Sequence, residues 1–240
     1  VILLKLEAGF SMELHLQDWI QQNIFFLGSY ETKELAFMSQ VLKPGSTFID
    51  IGANVGWHSL NAAVLVGQNG KVISFEPFPM NHARIQKNIS LNPTHDQIVV
   101  EKIGIGAKSD SITLHYNSDD DNAGMASQYV KGNTSEKIQV IALDHYEKIA
   151  SLKRIDMIKL DIEGGELNAL LGMQKTLQEF KPILMIEFDP EILGKQAGMQ
   201  EEMMSLLTNL NYKPTYFDAA GKLCDQSEKS ASKNIVFWPL

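Results

Sequence analysis

Alternating strand-like and helix-like segments predict an α/β fold of Rossmann-like design, with a seven-stranded, mostly parallel sheet, helices on both faces and an antiparallel last strand. Three observations carry this. Short apolar runs and helical periodicities follow one another from residue 47 to residue 210. The first apolar run leads through a glycine turn, Asp50-Ile-Gly-Ala-Asn-Val-Gly56, directly into a helical pattern, the unit that sets a ligand over the carboxyl end of a sheet. At the end, Tyr212–Phe217 and Asn234–Trp238 are two strands joined through Gly221 with no helix between them, so they form an antiparallel pair at one edge.

The elements follow in chain order. Leu3–Leu6 and Met12–Leu16, separated by Glu7-Ala-Gly-Phe10, read as an N-terminal hairpin. Glu31–Leu42 has helical periodicity and stops at Lys43-Pro-Gly45. Residues 1–45 are thus a hairpin and helix extension on a catalytic core of 46–240, all in one domain. Core strands are expected at 47–51, 71–75, 98–103, 156–161 and 182–188, and helices at 57–66, 79–91, 165–179 and 199–210. A polar loop opens at Asn117-Ser-Asp-Asp-Asp-Asn122 and runs to about Lys137. Its segment Asn122–Ser127, with Tyr129, is a candidate lid, whereas Asp119–Asp121 reads equally as a solvated charged loop.

Three short strings carry the chemistry: Phe48–Gly56, Phe75-Glu-Pro77 and Lys159-Leu-Asp-Ile-Glu-Gly164. In the first, Gly52 and Gly56 tolerate positive φ and leave room for a ligand against the backbone, and Asn54 adds an amide. Glu76 stands just past the second strand, 24 residues after Gly52, close to the roughly 20-residue offset at which an acid meets a ribose. The turn selects among nucleotides. A dinucleotide fingerprint wants a third small residue under a pyrophosphate, but here that position is Trp57 and Asn54 replaces the middle glycine. S-adenosylmethionine has no pyrophosphate and carries a cationic sulfonium, which suits an acidic turn with Asp50. The bland alternative is a plain strand-to-helix turn, and Glu76 at its proper place weighs against it.

With these strings, and with Gly28-Ser-Tyr-Glu31, Ile155–Glu166 and Pro182–Glu187, the sequence resembles the FkbM family of methyltransferases over most of its length. The resemblance implies a class I methyltransferase fold, S-adenosylmethionine as cofactor with S-adenosylhomocysteine as product, and O-methylation of hydroxyls on secondary metabolites or saccharides. Position by position, it implies that Asp50, Gly52, Asn54 and Gly56 surround the methionine part and that Glu76 holds the ribose. Tyr30 and Glu31 match a segment approaching the methionine end. Gly104 and Ile105 follow the third strand, where such folds flank adenine, and Asp161 closes the fourth strand beside the reactive methyl.

An alcohol acceptor must lose its proton as the new bond forms, so a general base is required. Asp161, Glu163 and Glu187 lie at or just past the carboxyl ends of the two strands nearest the expected methyl, and His58 opens the first helix. Lys159 shares a strand face with Asp161, placed to keep it ionised or to orient the acceptor oxygen. Each has a plainer reading. Glu163 reads equally as a cap of the next helix, and His58 as a first-turn helix residue facing solvent or the loop. Glu187 is harder to set aside, because a lone carboxylate in an apolar run is costly without a partner. Asp161-Ile-Glu-Gly164 stands where base-directed amino methyltransferases carry Asn- or Asp-Pro-Pro-Tyr, which favours an oxygen nucleophile. No metal is expected, since Asp161 and Glu163 alone are a thin ligand set.

Composition bounds the rest. The 240 residues are 44% hydrophobic, enough for a core without disulfides. Cys224 is the sole cysteine, which points to a reducing, cytoplasmic setting. A formal charge of −8 argues against a nucleic-acid partner and for a small or neutral acceptor. No apolar run approaches the roughly 20 residues that span a bilayer. Val1 opens the numbered chain, consistent with a piece of a larger enzyme with neighbouring domains. Two alternatives stay open: a carboxyl- or N-methyltransferase, which needs little general base, and an inactive cofactor-binding scaffold.

Overall fold

The computed structural model describes residues 1–117, 132–189, 198–227, 230 and 232–240. The chain begins with an antiparallel hairpin, β1 (Ile2–Lys5) and β2 (Ser11–Leu14). Helices α1 (Trp19–Leu27) and α2 (Thr32–Val41) follow. α1, absent from the sequence expectation, is well delimited: Asp18 Oδ1 accepts from the Gln21 backbone N–H at 3.0 Å, and Gly28 closes it at φ 71°, the glycine stop that many helices use.

The central alternation runs β3 (Thr47–Ile51), α3 (Trp57–Val66), β4 (Lys71–Phe75), α4 (Pro79–Ser90) and β5 (Ile98–Glu101). β5 ends earlier than expected. The next residues form β6 (Gly104–Ile105), which leaves the main sheet to pair with a side sheet of β7 (Asp110–Tyr116) and β8 (Thr134–Ile141) in the order β6-β8-β7. Gly104 permits this, since a Cβ there would lie 2.9 Å from Val140 Cγ1. β8 also corrects the extent of the polar loop, which ends before Thr134 and not near Lys137. The candidate lid Asn122–Ser127 and Tyr129 lie outside the described residues.

β9 (Met157–Leu160), α5 (Glu166–Leu171), α6 (Gln174–Phe180), β10 (Ile183–Glu187), α7 (Met199–Asn209), β11 (Tyr212–Phe217), β12 (Leu223–Cys224) and β13 (Asn234–Pro239) complete the chain. The single helix expected at 165–179 is two. At the break, Gly172 passes so close to Gly106 that a Cβ would sit 1.9 Å from the Gly106 carbonyl oxygen, and the Gly172 carbonyl accepts from Asp144 N at 3.0 Å. The main sheet has the order β12-β11-β13-β10-β9-β3-β4-β5. The five strands from β10 to β5 are parallel, and β13 is antiparallel to both β10 and β11. The two-residue β12 adds an eighth strand to the seven expected.

Strand alternation sends successive side chains to opposite faces. Ile49, Ile51, Ile158, Leu160, Leu184 and Ile186 face α5, α6 and α7 in one buried cluster. Phe48, Val72, Met157, Met185 and Val236 face the other way, toward α2, α3 and the N-terminal hairpin. Asn88 of α4 and Asn92 just past its end fasten the hairpin, accepting from Glu13 N and Ser11 N at 2.8 and 2.7 Å. Among the described residues no helix is long and apolar enough to cross a membrane.

Candidate active site

The polar residues interrupting the core strands fall in one row. Register places Asp50 of β3 beside Ser74 of β4 and beside Lys159 of β9, all on the α3 face at the carboxyl end of the sheet. Asp50 is wholly buried. Ser59 Oγ on α3 donates to Asp50 Oδ2 at 2.6 Å and lies 2.7 Å from Ser74 Oγ. Asp50 therefore anchors the turn from beneath, next to the buried Lys159 ammonium.

Above this row lies a cavity of about 290 Å³. Gly52 and Asn54 line it from the β3 turn, Glu76 from the end of β4, and Gly104 and Ile105 from β6. Asp161, Glu163 and Glu187 line the opposite part, with Tyr30 and Ile20 at its border. The cavity thus gathers most of the expected site residues. Asp50, Gly56, Glu31, His58 and Lys159 stand behind its wall. The wall also includes Asn81 and Asn168, which no sequence motif marked; both sit in first turns of helices whose starts face the cavity.

The turn glycines also make room for the protein's own packing. At Gly52, with φ 85°, a Cβ would lie 1.8 Å from the Asp161 carbonyl oxygen, and at Gly56 it would meet Ile85 Cγ1 at 2.7 Å. The missing side chains admit the neighbouring β9 turn and α4. Asn54 also takes a positive φ, 50°, and its backbone N–H donates to Glu76 Oε2 at 2.7 Å, while Phe78 N donates to Glu76 Oε1 at 2.9 Å. Both Glu76 oxygens are thereby fixed at the cavity wall. Burial, with the nearby Asp50 and Asp161 charges, outweighs these two donors and pushes the Glu76 carboxyl up to about 8.

The second half of the site is built on charge. Lys159 Nζ donates to Asp161 Oδ2 at 2.7 Å. Burial opposes the Lys159 charge, but Asp161, Glu31 and Asp50 override it and hold the ammonium above its usual range. Burial likewise opposes the Asp161 charge, and Lys159 overrides it, holding that carboxyl below the usual range. Glu187 is the reverse case: burial first, then Asp161 and Glu163, push it up to about 10. The two carboxyls titrate together as a pair, with Asp161 held the more acidic and Glu187 the more basic. Burial followed by Asp161, Glu166 and Asp189 lifts Glu163 to about 8. Gly165 stands at the N-cap of α5 without a side-chain cap; Glu166 instead ties down the preceding turn, accepting from Ile162 N and Gly164 N at 2.9 and 3.2 Å, and the positive φ of Glu163, 56°, turns the chain at the cavity wall.

Asp161, Glu163 and Glu187 each offer an oxygen within 4.8 Å of the others, an arrangement that attracts positive charge; one Asp161 oxygen is already engaged by Lys159. Behind them, His58 is buried and not solvent-facing, its Nε2 3.0 Å from Glu31 Oε2. Glu31 adopts φ 50° at the N-terminus of α2, and Asn234 Nδ2 donates to its other oxygen at 3.3 Å. Trp57 Nε1 donates to the Tyr30 carbonyl at 2.9 Å. Burial and the adjacent Glu31 and Asp161 charges raise the Tyr30 hydroxyl above its ordinary value.

A parallel sheet with an inserted antiparallel strand, a β3 turn and a carboxylate past β4 define the Rossmann-like methyltransferase class. The methyltransferase FkbM domain profile matches residues 50–214, and the chain belongs to that family. Its cofactor is S-adenosylmethionine, and the site fits it: Glu76 presents two fixed carboxylate oxygens to the cavity, and Asn54 Oδ1 is a buried acceptor without a protein partner. The chain is 25% identical over 165 residues to the hexuronic acid methyltransferase AglP of Haloferax volcanii, covering 68% of this chain and 65% of AglP. It is 24% identical over 178 residues to the 2-O-methyltransferase NoeI of Sinorhizobium fredii, covering 68% and 72%. The AMB antimetabolite synthetase AmbE of Pseudomonas aeruginosa matches at 22% over 82% of this chain, which spans 10% of AmbE. Among solved structures, a methyltransferase FkbM from Methylobacillus flagellatus shares the fold at TM-score 0.52 and 18% identity, over 92% of this chain and 55% of that one.

Proposed function

We propose that this chain transfers a methyl group from S-adenosylmethionine to a hydroxyl of a small-molecule or saccharide acceptor, with Asp161 as the general base. The observation that carries this is the Lys159–Asp161–Glu187 group at the carboxyl ends of β9 and β10, facing the cavity across from Glu76. The NoeI and AglP relatives, a 2-O-methyltransferase and a hexuronic acid methyltransferase by name, agree with an oxygen acceptor.

The bound cofactor supplies an electrophilic methyl on a cationic sulfonium. Glu76 would hold the ribose hydroxyls, and Asn54 and the β3 turn would take the methionine part, with Tyr30 at its far end and Glu31 behind the wall there, held by His58 and Asn234. Gly104 and Ile105 would border the adenine. Asp161, ionised because Lys159 faces it, would accept the acceptor's hydroxyl proton as that oxygen takes the methyl. Asp161 is the ionised carboxylate of the cluster, whereas Glu187 and Glu163, both lifted by burial, serve as hydrogen-bonding partners for the acceptor. His58, locked against Glu31, is a positioning residue in this scheme. Closure of the two reacting groups in a half-buried cavity supplies the orientation that methyl transfer needs. The free, half-buried Cys224 suits a reducing, cytoplasmic enzyme.

The test is Asp161→Asn, assayed by transfer of radiolabelled methyl to a panel of hydroxylated sugars and polyketides. Loss of kcat by about 10²–10⁴ with S-adenosylhomocysteine affinity retained supports the base assignment. Full activity in Asp161→Asn would point instead to carboxyl or amine methylation.

A further inference from the structure

Helix α1 leaves an apolar face in solvent at the mouth of the cavity. Trp19, Phe26 and Leu27 are 58%, 72% and 74% exposed, a concentration of large apolar side chains of the sort that marks a binding surface. Helical spacing organises them. Trp19 and Phe26 are seven residues apart, as are Ile20 and Leu27, so each pair shares a face and the stripe runs roughly 10 Å along the helix. One end of the stripe is the cavity itself. Ile20 and Tyr30 line the cavity, and the Trp19 ring stands edge-on to the Tyr30 ring with centroids 5.9 Å apart. The other end leads away over solvent. The Asp18 cap and the Gly28 stop hold the helix in place, so the stripe is presented by a fixed element.

Resting on the methyltransferase reading above, we propose that this face of α1 carries the apolar body of an amphipathic acceptor whose hydroxyl reaches Asp161. The polarity along the path matches such a molecule. At the inner end Asp161, Glu163 and Glu187 accept hydrogen bonds from hydroxyls. At the outer end Trp19, Phe26 and Leu27 offer only hydrocarbon and ring surface. A small polar acceptor fits the inner end but leaves the stripe bare. An anionic membrane surface is a poor match for a chain of net charge −8. Trp19 sits at the junction and is the specificity-determining residue of the arrangement.

The test uses protein saturated with S-adenosylhomocysteine. n-Octyl β-D-glucopyranoside, kept below its critical micelle concentration, and methyl β-D-glucopyranoside are titrated in parallel by calorimetry and tryptophan fluorescence. The expected result is at least tenfold tighter binding of the octyl glycoside. Trp19→Ala and Phe26→Ser each erase that preference, Trp19→Phe restores most of it, and S-adenosylhomocysteine affinity is the same in all four proteins. Equal affinities for the two glycosides, or a preference that survives in both disrupting variants, overturn the proposal. So does Trp19-dependent sedimentation with phosphatidylcholine vesicles, or a Trp19-dependent dimer, without an octyl preference; these would assign the face to a membrane or to a second copy. Failure to bind S-adenosylhomocysteine removes the cofactor reading beneath it, an outcome distinct from cofactor binding without alkyl preference.

Discussion

Lys159→Met removes the buried ammonium that faces Asp50, Glu31 and Asp161, and methionine fills nearly the same volume. The wild-type lysine is 2% exposed and its partner Asp161 is 26% exposed on the side chain. Stranding one member of a buried pair costs about 3–5 kcal/mol; the partial exposure of Asp161 places this case at the lower end, about 3 kcal/mol, or a fall in Tm of roughly 6–12 °C for a domain of this size. The pH dependence has a definite sign. With its folded pKa held low, Asp161 contributes stability that is present above its ordinary value of 3.8 and lost as pH falls through the lowered folded value. In the variant, burial acts on Asp161 unopposed and its folded pKa rises instead. The stability gap between wild type and variant is therefore widest at neutral pH and narrows toward pH 4, where the variant's carboxyl protonates. Urea unfolding at pH 7.5, 5.5 and 4 measures it. A cost under about 1 kcal/mol at pH 7.5, or a gap unchanged with pH, would refute the central role given to this lysine.

Two further predictions follow from the same site. Glu187 titrates near 10 in the folded state against an ordinary 4.5, so the folded protein holds a proton that the unfolded chain has released, and stability falls as pH rises between those values. Glu187→Gln is expected to raise Tm by on the order of 3 °C at pH 8 and by nothing at pH 4; thermal unfolding at both pH values that shows no difference contradicts it. Gly52→Ala is expected to lose about 3 kcal/mol or more, because its Cβ meets the Asp161 carbonyl and φ is left-handed. A Gly52→Ala protein with wild-type urea midpoint would show that the β3 and β9 turns are not tightly apposed.

The sequence revealed the parts whose local pattern and tertiary role agree. Thr47–Ile51 and Lys71–Phe75 are continuous apolar runs because both faces of a parallel strand are covered, and Glu76 was legible because it directly follows such a run. Trp19–Leu27 was not, since nearly every position is apolar or neutral and the helical period is blurred. The side sheet was missed because Thr134–Ile141 alternates on one half-exposed face inside a polar stretch. Glycine roles were legible only in part, for a different reason. Tolerance of positive φ at Gly52 and Gly56 is local, but what occupies the space above each, Asp161 and Ile85, is set by packing from residues far along the chain. The carboxylate cluster likewise depends on the β9–β10 register that sets Ile186 beside Leu160 and on the left-handed turn at Glu163 and Gly164. The strings named its members without showing that Asp161, Glu163 and Glu187 meet within 4.8 Å.

The central claim is that the cavity between Glu76 and Asp161 binds S-adenosylmethionine. Calorimetric titration of wild type and Glu76→Ala with S-adenosylmethionine and S-adenosylhomocysteine tests it most directly. Saturable micromolar binding to wild type is expected, with a loss of at least tenfold in the variant, whose two anchored ribose acceptors are gone; no binding to a folded wild type, or equal affinity in the variant, would contradict it.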